Sequence, residues 1–119
     1  LVLRYLPQKE CAHISKSEEI YKQCLKGLDN AWCVVAIVDG CDTDSGTSFE
    51  IGYACAKGIP VIGVRTDFRQ KADDGHLNLM LSQSIAMLCF VNSLEDASID
   101  TVARCVKEKI NALLIKVLK

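Results

Sequence analysis

Long hydrophobic runs are missing from this chain. The longest apolar stretch, Ala31 to Val38, falls far short of the roughly 18 residues that a membrane-spanning helix needs. Blocks of one charge sign are missing too. Fourteen Lys and Arg are balanced by 15 Asp and Glu, for a net charge of -1, and they are scattered along the chain. That pattern argues against nucleic acid or an anionic membrane as partner. No C-x-x-C pair occurs among the seven cysteines (11, 24, 33, 41, 55, 89 and 105). Their odd number and their places inside apolar runs fit small packed hydrophobes in a reducing cytoplasm rather than a disulfide scaffold. Proline is scarce, with Pro7 closing the strand-like run Val2 to Leu6 and Pro60 opening another apolar run. A starting Met and a signal peptide are absent as well. The chain opens at Leu1 directly into that first run, so further residues are expected upstream.

What is present is apolar content, 50% of 119 residues, enough for one domain, 1–119, with a two- or three-layer core. Ser15-Lys16-Ser17-Glu18 offers an S-x-x-E capping box, followed by Ile20, Tyr21, Cys24, Leu25 and Leu28 at helical spacing. Cys33 to Val38 reads as a strand covered on both faces. Asp39-Gly40 ends it, and Cys41 to Gly46 makes a loop before a helix from about Thr47 to Lys57, with Gly58 in the C′ position. Val61 to Val64 gives a second buried strand, and Arg65 to His76 a charged loop long enough to line a site. Leu77 to Ser84 forms a short helix and Ile85 to Val91 a strand. A last helix, from about Ile99 to Leu118, turns Ala103, Val106, Ile110, Leu113, Leu114 and Val117 inward. Strands alternating with helices predict an α/β fold with a mostly parallel sheet, whose ligand sites lie at the carboxyl ends of the strands.

One such end carries chemistry. Asp39-Gly40-Cys41-Asp42-Thr43-Asp44-Ser45-Gly46-Thr47-Ser48-Phe49-Glu50 puts four carboxylates into a strand-to-helix connection. A helix start keeps nearby anions ionised, and an ionised, poorly solvated carboxylate is a usable nucleophile. Two plainer roles compete. Thr47-x-x-Glu50 is also a T-x-x-E capping box, in which Glu50 reaches back to an orphan amide. Asp42 and Asp44 also suit turn positions.

The run Asp39 to Arg69, together with Asn78-Leu79-Met80-Leu81, closely resembles the nucleoside 2-deoxyribosyltransferase family, whose members carry a D-x-G-T-x-x-E-x-G-x-A core and a downstream N-L-M segment. The resemblance covers roughly residues 16 to 91. It implies a flavodoxin-like (Rossmann-like) three-layer sandwich whose first strand is missing from this chain. It also implies transfer of 2-deoxyribose between nucleobases, with Glu50 as the nucleophile that forms a covalent sugar ester. Asp44 matches an acid that holds the 5′-hydroxyl. Asn78 matches an amide on the same hydroxyl, supplied in several members by a neighbouring subunit. Gly46 and Gly52 match glycines that let sugar and backbone approach. Asp42 and Met80 complete the expected substrate contacts. The partners implied are a 2′-deoxynucleoside and a free nucleobase, in a homo-oligomer, with no metal or cofactor.

The chemistry suits these residue types. Breaking the C1′–N bond develops positive charge on the sugar, which a carboxylate both stabilises and traps. The chain departs from the family at Trp32, where an Asp is usual, and at Cys24, where an Asp or Asn often meets the base. Two alternatives stay open: a hydrolase of 2′-deoxynucleoside 5′-monophosphates, whose phosphate Asp44 would repel, and a non-catalytic nucleotide-sensing module. Weaker candidates are a zinc site from Cys11, His13, Cys24 and Cys33, a proton relay at His76, and Arg65, Asp67 and Arg69, read mainly as structural.

Overall fold

Two short runs rich in β-branched residues, β1 (Val34–Ile37) and β2 (Val61–Arg65), and a third of apolar residues that lack β-branching, β3 (Met87–Phe90), make the sheet. They lie parallel in the order β1-β2-β3, with Val34 opposite Val61 and Ile62 opposite Met87. The computed structural model describes residues 16–67, 77–91 and 98–118. Four helices accompany the strands there: α1 (Ser17–Asp29), α2 (Ser45–Ala56), α3 (Leu79–Ser84) and α4 (Ile99–Leu118). The architecture is the expected α/β one, of flavodoxin-like type. The Val2 to Leu6 run lies outside the described residues, as do Ser15 of the first capping box, Arg69 and His76.

The two-residue period of a strand explains the layering. Ala36, Val38 and Val61 turn to one face and bury Ile51 and Ala54 of α2, with Leu77, Leu81 and Ile85 packed beside them. Ile62, Val64 and Cys89 turn to the other and bury Ile110 and Leu113 of α4. Every residue of the central strand β2 is buried, which is why its first four, Val61 to Val64, read as an unbroken apolar run, and Arg65 closes it as a buried charge. Cys33 and Cys89 behave as small hydrophobes, 8% and 0% exposed. Gly63 marks a close approach, since a Cβ there would stand 2.8 Å from Cδ1 of Ile85.

Several expectations shift by a residue or a turn. Helix α1 starts on Lys16, whose side chain makes no capping bond, so its first turn rests on Glu18 and Glu19 near the positive helix end. Gly58 takes φ 73°, just beyond the Lys57 C-cap, in the place expected of it. On α4 the inward stripe is Val102, Cys105, Val106, Ile110 and Leu113. Ala103, near the start of the helix, faces away from the stripe and is exposed, and Leu114 and Val117 are exposed too, because the helix lies on β2 and β3 and its end runs past them.

Candidate functional site

At the carboxyl ends of β1 and β2 two loops are locked together. The Asp39 Oδ1 accepts hydrogen bonds from the amides of Thr66 (2.6 Å) and Asp67 (3.2 Å), and its Oδ2 accepts the Thr66 hydroxyl at 2.6 Å. The lock is reciprocal. The Gly40 amide donates to Asp67 Oδ2 at 3.0 Å, and the Arg65 guanidinium donates to the carbonyls of Val38 (2.6 Å) and Gly40 (3.4 Å). Arg65 and Asp67 are buried, and the bonds answer most of their polar atoms, as buried groups require, although the Arg65 Nε is left without a partner among the described residues. Asp39 is therefore a structural acid, and Arg65 and Asp67 are structural too. Gly40 closes the turn at φ 102°, where an added Cβ would also stand 3.1 Å from the Asp42 carbonyl oxygen.

That turn delivers the chain to α2. Asp44 is its N-cap, with Oδ2 accepting from the Thr47 amide at 3.0 Å and the Thr47 hydroxyl at 3.4 Å. The helix thus starts two residues earlier than its sequence pattern suggests. The Thr47-x-x-Glu50 capping box is overturned: Asp44 already satisfies the amide, and Glu50 falls in the second turn. Gly46 matters for this geometry, since a Cβ there would sit 3.1 Å from Asp44 Oδ2.

Glu50 is half-buried, and no hydrogen bond or ion pair reaches its carboxylate among the described residues. Burial raises its proton affinity above the ordinary glutamate value, and the neighbouring Asp44 charge adds to the rise. A carboxylate that has lost water without gaining a donor keeps its lone pairs available for a new bond.

The other expected residues are placed less tightly. Asn78 caps α3, its Oδ1 accepting from the Met80 amide at 2.9 Å. Helix α3 packs against α2, so Asn78 stands on the element next to the one that bears Glu50, though no hydrogen bond joins the two residues. Asp42, Asn78 and Met80 are exposed, Met80 by 74%. A cavity of about 580 Å³ opens between α3 and β3, lined by Leu77, Asn78, Leu79, Ser82, Met87 and Leu88 among others. Asn78 borders it and Glu50 does not. Among the described residues no group of His, Cys, Asp and Glu is placed to hold a metal; Cys11 and His13 lie outside them. No helix described is long and apolar enough to cross a membrane.

Sequence reasoning missed how α1 is pinned to α2. The Tyr53 hydroxyl donates to Asp29 at 2.7 Å, which raises its pKa, and Lys57 stands 3.6 Å from the same carboxylate. Phe49 lies between Tyr21 and Tyr53, 6.3 Å from each ring centre. The signal was readable in hindsight, because aromatic residues four apart on α2 share a face.

The family model for nucleoside 2-deoxyribosyltransferases matches residues 4–103. The chain belongs to that family. Among solved structures it is similar to a conserved protein from Enterococcus faecalis V583, with 28% identity, a TM-score of 0.58, and coverage of 78% of this chain and 67% of that one. No curated protein matches. Membership of the deoxyribosyltransferase family places the chain among enzymes that handle nucleoside N-glycosidic bonds, and its D-x-G-T-x-x-E core spans the Asp44 cap and Glu50.

Proposed function

We propose that the chain, as one domain over residues 1–119, transfers 2-deoxyribose from one nucleobase to another by double displacement. Glu50 attacks C1′ of a 2′-deoxynucleoside, the C1′–N bond breaks, and the base leaves with a proton. The sugar stays on Glu50 as an ester until a second base attacks C1′ from the opposite face and frees the carboxylate. Asp44 and Asn78 hold the 5′-hydroxyl, Gly46 keeps the approach open, and Asp42 and Met80 border the sugar. No cofactor takes part. The observation that carries this reading is the half-buried Glu50 carboxylate, without a hydrogen-bond donor and with its proton affinity raised beside Asp44.

The reading includes a homo-oligomer, so that Asn78 and Met80 of one copy can serve the Glu50 of another. Its support is the apolar exposure of α3, where Leu79 and Met80 are 71% and 74% exposed, next to the family membership. The test is mass spectrometry after incubation with a 2-fluoro-2-deoxynucleoside, whose fluorine slows release of the sugar. A stable adduct on the Glu50 peptide, absent from Glu50→Gln, is the expected result. An adduct on another peptide moves the nucleophile elsewhere. Intact protein that binds the nucleoside yet gives neither adduct nor base exchange turns the reading to a sensing module.

A further inference from the structure

The buried sulfurs on the α4 face of the sheet stand apart from the sugar chemistry. Cys89 of β3 is fully buried within the cluster formed with Ile62, Val64, Ile110 and Leu113. Cys105 of α4 packs against that cluster from the helix side and is half-buried. Cys105 precedes Ile110 on the helix face that covers Cys89, and it is the side chain that acts most on the Cys89 thiol. They come from consecutive elements in direct contact, β3 and α4. We propose that Cys89 and Cys105 form an oxidisable dithiol that a glutathione-type disulfide converts into an intramolecular disulfide, stapling the last strand of the sheet to the last helix.

The order of events follows from the surroundings of each sulfur. Burial, with the Cys105 thiol next, pushes the Cys89 pKa up to about 12; Glu108 adds slightly and Lys109 pulls the other way. Cys89 is therefore protonated at neutral pH and walled off, so Cys105 makes the first attack. Its thiolate bonds to one sulfur of the oxidised glutathione, and the S–S bond breaks to release one glutathione thiolate. Cys89 then gives its proton to solvent and attacks the Cys105 sulfur, breaking the mixed disulfide and releasing the second glutathione. The two protein thiols lose two electrons, and the oxidant gains them as two glutathione molecules. The second step depends on a thiol held protonated, so its rate rises with pH.

The test uses the full chain in glutathione buffers of increasing oxidised fraction, followed by alkylation, digestion and mass spectrometry. A peptide joining Cys89 to Cys105, lighter by two hydrogens than the reduced pair, is expected. The loop so closed is roughly 15 residues, so oxidation should raise the melting midpoint by on the order of 10 °C. Cys105→Ser, which changes the less buried partner and so spares the fold, should show no such rise. The exposed Cys41 and Cys55 serve as internal controls for unselective oxidation. If they carry glutathione while Cys89 stays alkylatable after unfolding, or if oxidised wild type melts no higher than Cys105→Ser, the dithiol assignment is wrong.

Discussion

Two effects raise the proton affinity of Glu50, and loss of water outweighs the Asp44 charge. The reaction needs the ionised form, so the acid side of the kcat/KM profile should fall off above the ordinary glutamate range of about 4.3. Asp44→Asn keeps a good N-cap but removes the charge; its acid limb should move down only part of the way, because burial persists. An unmoved limb would mean that the two acids do not communicate. The same shift bears on stability. With its folded pKa above the unfolded one, Glu50 binds its proton more tightly in the native state. Its contribution is therefore favourable below the unfolded pKa and is lost as pH rises through the folded one. Glu50→Gln should then melt higher than wild type at pH 7, with the advantage shrinking as the pH drops toward 4. Equal melting curves across that range would contradict a desolvated acid at this position.

The elements around the site owe their placement to the crossing bonds between the Asp39–Gly40 and Thr66–Asp67 segments. Asp39→Ala strands the Thr66 and Asp67 amides and the Thr66 hydroxyl. It should cost about 2–3 kcal/mol in urea unfolding, with kcat falling as the start of α2 loosens. A loss under half that size would show that water replaces the carboxylate. Asn78→Ala removes the cap of a six-residue helix and should cost about 1 kcal/mol. Much of this scaffold is legible in the residues alone. The β-branched runs at 33–38 and 61–64, the stop at Gly58 and the short helix before β3 all follow from period and punctuation. The start of α2 was misread because Asp44 and Thr47 are both good caps, and only the three-dimensional turn at Gly40 decides between them. The inward stripe of α4 is legible at Val106, Ile110 and Leu113, but not at Leu114 and Val117, for a related reason. Apolar residues continue around the helix past Leu113, and sequence spacing alone does not say where the sheet ends.

For the molecule as a whole, the acid cluster was visible as a cluster, but its division of labour was not. Asp39 and Glu50 look alike in the sequence, and folding makes one a bolt and leaves the other unpartnered. How copies associate is equally hidden in the sequence. If α3 meets a second copy, Leu79→Asp with Met80→Asp should convert an oligomer to a monomer in sedimentation. The melting of the isolated subunit should change little, since both side chains are exposed. A wild type that already sediments as a monomer removes the shared-site arrangement. Gly63 links these scales. The absent side chain in mid-sheet is the seat for Ile85, which immediately follows the helix that Asn78 begins. A methyl at position 63 would press first on the tips of Ile85 and Leu88, so the room left in the floor of the sheet, and not only the residues at its rim, sets how the short helix rides above it.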